Sequence, residues 1–387
     1  MGVAELEQEQ TVFLSREREV IERLCPGLDE ALCARAMLDM ERPGHDALQL
    51  FKDHRGPSLL IPSKYGGLGA NPVDAVRFQR AIGSRSPSLA VGTTMHHFSV
   101  ATLVEACDTG EGEDWRLLET IAAGELLVSS GFAEGRPGQG LFATTMRARE
   151  TADGYYITGS KKPCSLSHSM DLLTASVRVE RDGGADELGV ALISADAEGI
   201  ERRPFWASTA LAGAESDEVV LEDVLVASDF VVPLEEGSTT GTDAVGLGDG
   251  FVWFEAMITA SYLGVGSGLV ERVLSTDKGA ETDRVTLAFE LEGPMAALEC
   301  VAGSIHRGSA SDDLLARILL VRYSAQEALR RAGGLAAELL GGMAFVKSPD
   351  VAYLVSALHA LGFHPPSRPK AAGALNDYLA GRGLTIE

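Results

Sequence analysis

The 387-residue sequence is poor in basic residues, and this shortage excludes whole classes of partner. Lysine and arginine number 33 against 56 acidic residues, which gives a formal net charge of −23. The charge argues against a nucleic-acid partner and an anionic membrane surface, because both recruit lysine and arginine. The net charge does not exclude small anionic ligands, since their binding depends on local charge.

Cysteines and long apolar runs are also scarce. The five cysteines are odd in number and widely spaced, and no pair has the spacing of a zinc site or a redox motif. No apolar run reaches the roughly 20 residues that a membrane span needs. The acidic first ten residues lack the basic start of a signal peptide. We therefore expect reduced thiols and a cytoplasmic protein.

Recognisable metal and phosphate motifs are missing as well. The eight histidines include no HExxH pattern, and His96 and His97 would point about 100° apart on a helix. We therefore predict no metal site. No GxxxxGKS/T loop is present, and the glycine-rich segment 135–140 lies between predicted strands rather than before a helix. This placement disfavours a nucleotide-binding P-loop or Rossmann fold.

The chain divides into three regions of different periodicity. Apolar residues recur at helical spacing over 1–125, short β-rich segments with turn signals fill 126–235, and helical spacing returns over 245–387. The predicted strands are 126–132, 142–149, 155–158, 172–179, 188–194 and 218–226, and the predicted C-terminal helices are 251–275, 284–306, 312–340 and 349–362. This order predicts an α+β fold of three domains.

Four local strings, in the right order and separation, resemble the acyl-CoA dehydrogenase superfamily. LIPSKYGGLG at 60–69 is similar to the family's P-E-x-x-G-G-x-G loop, and DGYYITGSKK at 153–162 is similar to its D-G-Y-x-(I/L)-N-G-x-K hairpin. SDEVVLEDVLV at 216–226 and LLGGMAF at 339–345 resemble two further family motifs. The resemblance implies an N-terminal helical domain, a central β-barrel domain and a C-terminal four-helix bundle. It also implies a flavin and a homotetramer or homodimer.

The resemblance implies a set of flavin contacts when residues are carried over one at a time. Ser165 takes the place of a hydroxyl residue that meets the flavin, and Pro163 takes the place of a tryptophan that flanks it. The implied contacts are Phe132, Ala133, Glu134, Gly138, Pro163, Ser165, Gly341 and Gly342. The family's arginine motif for the adenine end is absent at 279–284. We therefore expect FAD, with FMN as the alternative.

The identity of the catalytic base decides whether the chain can dehydrogenate an acyl thioester. α,β-Dehydrogenation of an acyl thioester needs a carboxylate that removes the α-proton while hydride goes to the flavin. By register, one family position for this base falls on Pro365 and another on Phe254. Glu255, one residue further, is therefore the candidate base. Our main hypothesis is a flavin-dependent oxidoreductase of the acyl-CoA dehydrogenase type that acts on an acyl thioester.

The flavin-dependent monooxygenases of the same fold provide an alternative. They too lack the glutamate, and they resemble this chain in a C-terminal histidine before proline and lysine, which His364 matches. They also place a histidine in the N-terminal domain and a serine after the β-hairpin, which His97 and Ser165 match. Such groups would hydrogen-bond and protonate the reacting oxygen on a small substrate. A third hypothesis is a non-catalytic subunit of a heteromeric dehydrogenase.

Overall fold

The computed structural model describes residues 12–109, 115–136, 143–181, 185–233, 247–276, 278–306 and 311–386. Among these residues, seven helices precede the sheet: α1 Ser15–Leu24, α2 Leu28–Cys33, α3 Met37–Met40, α4 Ala47–Asp53, α5 Pro72–Arg85, α6 Pro87–Thr109 and α7 Trp115–Gly124. The start of α5 follows from its sequence, because Asn71 accepts a hydrogen bond from the Asp74 amide and Pro72 occupies the first turn.

In the described part of the chain eight strands follow, and they form one sheet. They are β1 Val128–Gly131, β2 Arg147–Thr151, β3 Gly154–Cys164, β4 Leu172–Val179, β5 Glu187–Ser194, β6 Ile200–Arg203, β7 Asp217–Val226 and β8 Val231–Pro233. Their order is β6-β7-β3-β2-β4-β5-β8, and β1 pairs in parallel with the first half of β4. The pairing of β3 with β7 shifts register between Lys161 and Cys164, where β3 has one extra residue and forms a bulge that bends the strand.

The mixed helix-and-sheet class is confirmed, but the β-barrel is not. Within the described residues the hydrogen-bonded strands form an open path whose ends are β6 and β8, and no pairing joins these two edges. Closure of a barrel requires such a pairing. The division into domains at 125, 235 and 245 stays a prediction, and the buried core is continuous through all three regions.

The helices after the sheet are α8 Leu247–Thr276, α9 Glu281–Ala302, α10 Asp312–Leu340, α11 Gly342–Lys347, α12 Pro349–Ala357 and α13 Arg368–Leu379. A 3₁₀ turn, Leu358–Phe363, connects α12 to the segment before α13. Every residue from 250 to 270 of α8 is buried, so this helix lies inside the protein. None of the described helices has the length and apolar character that crossing a membrane requires.

Two glycines allow α8 to approach α5 closely. A Cβ atom on Gly264 would lie 2.2 Å from the Arg80 carbonyl oxygen, and one on Gly83 would lie 2.2 Å from the Ser261 carbonyl oxygen. No side chain fits at either position, so the two backbones pack directly against each other. This contact sets the position of α8, whose other faces carry Phe254 and Tyr262 to the site described next.

Candidate functional site

A cavity of about 650 Å³ lies between α6, the segment after β1, the end of β3, α8 and the Leu358–Phe363 turn. Its walls are mainly aromatic and aliphatic. Their apolar side chains include Val91, Met95, Phe98, Phe132, Trp206, Leu211, Phe251, Phe254 and Phe363. A cavity of this size, with apolar walls and a few polar groups, is typical of a small-molecule or cofactor site.

One face of α6 lines the cavity, and His97 lies on another. Among the described lining residues α6 contributes Val91, Met95, Phe98 and Thr102, which follow helical spacing. His97 is fully buried, and its ring centroid lies 5.7 Å from that of Phe51. Neither of its ring nitrogens has a hydrogen-bond partner among the described residues. Burial holds its pKa well below the usual value, so His97 is a neutral group behind the cavity wall.

Glu134 lines the cavity, but its carboxylate is held by a polar cluster within the sheet. Lys161 Nζ lies 3.0 Å from Glu134 Oε1, and the Thr145 amide and the Thr144 hydroxyl each donate to the same oxygen at 2.8 Å. Burial alone would raise the pKa of Glu134, but the Thr145 amide and Lys161 outweigh it and hold the pKa well below its usual range. The carboxylate is therefore ionised and committed to this cluster.

Two hydroxyl groups form a pair in the cavity wall. Ser165 Oγ lies 3.0 Å from Ser216 Oγ, and both residues are buried and line the cavity. Ser165 follows the bulge at the end of β3, and Ser216 precedes β7, so the pairing of these strands brings the two together. Pro163 lines the same wall. The pair offers neutral donors and acceptors to a bound group.

His364 and Tyr262 form a second polar pair in the wall. Tyr262 Oη lies 2.9 Å from His364 Nε2, and among the described residues this phenol is the sole hydrogen-bond partner of the imidazole. Burial, and then the positive charge of Arg322, lower the pKa of His364 to about 3. Burial raises the pKa of Tyr262 well above its usual range. A neutral imidazole and a neutral phenol therefore face the cavity.

Glu255 does not line the cavity among the described residues. Its carboxylate oxygens each lie 2.8 Å from Arg322 Nη1, and both side chains are fully buried. Burial raises the pKa of Glu255 to about 7, and Arg322 opposes this shift. The pair lies behind the segment that carries His364, because Arg322 also donates to the carbonyl oxygens of Leu361, His364 and Pro365.

The sequence-derived set of site residues is thus split by the fold. The structure brings Phe132, Ala133, Glu134, Pro163, Ser165 and His364 to the cavity. Gly341 and Gly342 lie at the turn between α10 and α11, outside the described lining, and Gly138 lies outside the described residues. Sequence reasoning missed Tyr262, Ser216 and Trp206. Tyr262 follows Glu255 by two helical turns and Ser216 begins the string 216–226, but neither pattern indicates the polar partner that each one meets in the wall.

No model of a known protein family matches the sequence, but relatives are found among characterised proteins. Isobutylamine N-hydroxylase from Streptomyces viridifaciens is 43% identical over 379 residues, covering 96% of this chain and 99% of that protein. An acyl-CoA dehydrogenase from Mycobacterium tuberculosis is 30% identical over 174 residues, which cover 43% of this chain and 40% of that protein.

The chain belongs to the acyl-CoA dehydrogenase superfamily, in the family of isobutylamine N-hydroxylase. The FMN-bound dibenzothiophene monooxygenase from Paenibacillus sp. A11-2 shares the fold, with a TM-score of 0.81, 18% identity, and coverage of 96% of this chain and 99% of that one. The predictions that the chain is an enzyme, and a flavin-dependent oxidoreductase, are confirmed. A non-catalytic subunit is therefore not favoured.

The cluster around Glu134 generates a stability prediction. Lys161→Met removes the buried cation beside the Glu134 carboxylate and, among the described residues, leaves only the exposed Arg136, whose Nε lies 3.8 Å from Glu134 Oε2, so we expect a loss of about 3 kcal/mol in unfolding free energy at pH 7. Lys162→Met is the matched control, because Lys162 is one-third exposed and its pair with Glu218 is worth about 0–1 kcal/mol. Urea denaturation of both variants measures the difference. Equal losses would contradict the assignment.

The same cluster predicts a pH dependence. The pKa of Glu134 is depressed in the folded state, so its contribution is fully present above the ordinary carboxyl pKa of about 4.3. It is lost as the pH falls further, towards the folded-state pKa. The deficit of Lys161→Met relative to the native chain should therefore shrink in urea titrations below pH 4. A deficit that is unchanged at low pH would argue against an ionised Glu134.

Proposed function

We propose that the chain is a flavin-dependent monooxygenase that N-hydroxylates a small primary aliphatic amine. The relative at 43% identity over almost the whole chain supports this class of substrate. The observation that carries the proposal is the chemistry of the cavity. Among its described lining residues the only carboxylate is Glu134, which is held by Lys161 and two threonines. The other polar lining groups include the neutral imidazole–phenol pair of His364 and Tyr262.

Acyl-CoA dehydrogenation, our main hypothesis from the sequence, has less support. The position at which the resemblance expects a base on α8 is Phe254, whose ring forms part of the apolar wall. Its centroid lies 5.5 Å from that of Phe98 and 6.1 Å from that of His364. Glu255 is directed to Arg322 instead. A base must be free to take the proton that it removes, and the one carboxylate among the described lining residues, Glu134, is held by Lys161 and two threonines.

The cavity fits a flavin by its size and its donor set. Its volume of about 650 Å³ lies within the range of cofactor sites, and Ser165 and Ser216 supply neutral hydrogen bonds. Arg136 also lines the cavity; its side chain is largely exposed and its Nε lies 3.8 Å from Glu134 Oε2, so its outer guanidinium nitrogens are the part that would meet a phosphate. When bound, reduced flavin supplies two electrons and two protons, so that the amine and O₂ yield a hydroxylamine and water.

The imidazole–phenol pair supplies the proton chemistry of the chain itself. In our assignment the Tyr262 hydroxyl donates to His364 Nε2, and the neutral ring carries its proton on Nδ1. The low pKa of His364 keeps Nε2 available as an acceptor at neutral pH. His364 would donate a hydrogen bond from Nδ1–H to the reacting oxygen, and Tyr262 stabilises that tautomer through Nε2.

The apolar walls select the form of the amine. An ammonium group would need a carboxylate or another acceptor in the cavity to offset its lost hydration. The described lining offers aromatic rings and aliphatic chains in the space next to His364. We therefore propose that the amine binds as the free base, whose lone pair is the nucleophile. Exclusion of water by these walls strengthens the hydrogen bonds of His364 and the serine pair.

We also propose that the enzyme is a homo-oligomer. Large apolar side chains are exposed on the C-terminal helices, among them Phe289 on α9 and Met343, Phe345 and Val346 on α11. Val346 is 76% exposed, and contiguous apolar surface of this kind is typical of a subunit interface. A homotetramer or a homodimer satisfies this surface equally well.

The proposed reaction has a direct assay. The chain, supplied with enzymatically reduced FMN or FAD, oxygen and isobutylamine, should form the N-alkylhydroxylamine, detected by mass spectrometry with one atom from ¹⁸O₂. Butyryl-CoA under anaerobic conditions is the comparison, and we expect no bleaching of oxidised flavin. Bleaching by the thioester without hydroxylamine formation would replace the proposal by acyl-CoA dehydrogenation.

The pH profile tests the role of His364. Because its pKa is about 3, we expect kcat/KM to rise with pH only as the amine, with a pKa near that of lysine at about 10.4, loses its proton. No inflection near pH 6.5 should appear. His364→Asn should lower kcat by about 10²–10⁴ without changing the shape of the profile. An inflection near pH 6.5 that disappears in this variant would contradict a permanently neutral imidazole.

The ring of Phe254 should limit the size of the amine. Phe254→Ala enlarges the cavity beside His364, so we expect kcat/KM for hexylamine to rise relative to isobutylamine by about tenfold or more. Phe230→Ala, at a position that is 46% exposed and outside the described lining of the cavity, is the matched control. Steady-state kinetics over a series of linear amines measures the shift. An unchanged order of preference would remove Phe254 from substrate selection.

A further inference from the structure

Glu255 and Arg322 form the most deeply buried ion pair near the cavity in the part of the chain that the structure describes. Both side chains have no solvent exposure, and neither one lines the cavity. The pair is therefore outside the reach of a substrate. Its position directly behind His364 requires an explanation that the proposed chemistry does not supply.

The guanidinium of Arg322 donates hydrogen bonds to two other parts of the chain, α8 and the segment 361–365. Nη1 lies 2.8 Å from each Glu255 carboxylate oxygen and 3.1 Å from the Pro365 carbonyl oxygen. Nη2 lies 3.2 Å from the Leu361 carbonyl oxygen and also donates to that of His364. One planar group on α10 thus joins α8 to the segment that carries the imidazole.

These carbonyl groups need donors because the 3₁₀ turn ends there. The turn runs to Phe363, and His364 already has extended backbone angles, so the carbonyl groups at its end have no partner within the turn. Arg322 donates to the carbonyl oxygen of Leu361 in the turn and to those of His364 and Pro365 just after it. The neighbouring Tyr323 hydroxyl donates to the Pro366 carbonyl oxygen at 2.9 Å. Two consecutive side chains of α10 therefore hold the backbone on both sides of the His364 ring.

Helix α8 fixes the same histidine at a second point. Glu255 and Tyr262 are seven residues apart, so they lie within about 20° of each other around the helix. Glu255 holds the guanidinium that binds the His364 backbone, and Tyr262 binds ring atom Nε2 directly. Contacts at the backbone and at the ring together restrict both the place of the residue and its side-chain rotation.

An ion pair in this position is a poor source of stability alone. The loss of hydration on burying two charges offsets much of their attraction, and apolar residues of similar volume are often as stable. The fork of the guanidinium, in contrast, sets directions that an apolar side chain cannot set. The arrangement therefore favours a role in geometry.

We propose that Glu255 is a positioning residue that, through Arg322, sets the orientation of the His364 imidazole in the cavity. The predicted effect of Glu255 on turnover rests on the proposed N-hydroxylation. The predicted effect on the orientation of the His364 ring does not depend on it. Glu255 holds the guanidinium in the plane in which it meets the three carbonyl groups. Without that anchor the guanidinium turns, and the segment at His364 loses its fixed position.

The first test measures the imidazole in the flavin-free and substrate-free protein. With ¹⁵N-labelled histidine, NMR should show His364 as one fixed neutral tautomer from pH 5 to 8, and His364→Asn identifies its signals. In Glu255→Leu we expect averaging between the two neutral tautomers of His364, while the ring stays unprotonated because the unpaired charge of Arg322 still opposes protonation. Glu290→Gln is the matched control, because Glu290 pairs with Arg331 on the protein surface. Unchanged His364 signals in Glu255→Leu would overturn the proposal.

The second test separates positioning from general stability. Glu255→Leu should lower kcat about 100-fold at nearly constant KM, as expected for a displacement of a reacting group by about 1 Å. Glu255→Gln retains one acceptor oxygen and should recover part of that loss. A lower melting temperature with native kcat in Glu255→Leu would show a structural role only.

Two further outcomes are covered. If Glu255→Leu does not fold, Arg322→Lys serves instead, since it keeps the charge but loses the fork; native kcat and native His364 signals in that variant would overturn the proposal. If the native chain hydroxylates no amine, the proposed function fails, and the NMR comparison still decides whether Glu255 positions His364.

Discussion

The burial of α8 on all sides is the constraint on which the rest of the structure depends. From 250 to 270 each side chain meets protein, so every helix around α8 must fit it at a set distance and rotation. The direct backbone contact of Gly83 with Gly264 removes the freedom to slide or rotate, because no side chain separates the two helices. The face of α8 that meets the cavity is consequently determined by a glycine contact on another face of the same helix.

A second regularity is that the charges near the cavity are satisfied behind its walls. Glu134 is bound by Lys161 within the sheet, and Glu255 is bound by Arg322 between helices. Each pair supports a segment that lines the cavity, and apart from Glu134 and the exposed Arg136 the polar side chains of the described lining are neutral. Fixed neutral dipoles in an apolar space suit a reaction in which a neutral nucleophile attacks and charge develops only transiently. The arrangement favours oxygen transfer to an amine over the removal of a carbon-bound proton.

Much of the fold could be predicted from periodicity. The helix predicted at 312–340 coincides with α10, and the strand predicted at 172–179 coincides with β4. The short strands β6 and β8 were missed because each is three or four residues long, too short to show alternation. The open edges of the sheet depend on pairing between distant segments, which local pattern does not encode.

The site was predictable where a residue's role follows from its place in a motif. Ser165 and Pro163 were found because they end a recognisable hairpin, and His364 because prolines follow it. His97 was chosen by resemblance to the monooxygenases and Glu255 by a one-residue shift from the expected register, and neither criterion determines which face of a helix meets the cavity. Tyr262 and Ser216 gain their significance only from partners that are distant in sequence.

The difference between Phe254 and Glu255 shows how little is needed to change the chemistry that one fold supports. Neighbouring residues on a helix point about 100° apart, so a carboxylate moved by one position from Phe254 turns towards Arg322 and the segment that carries His364, and it no longer lines the cavity. In this chain the position where the resemblance expects the base is Phe254, whose ring packs against Phe98 and His364. The carboxylate of Glu255 pairs with Arg322 instead. The same atoms that could serve as a base at one position become the support of a histidine at the next. Residue type alone therefore does not identify the reaction. The rotation of α8, which its glycine contact determines, decides which group the substrate meets.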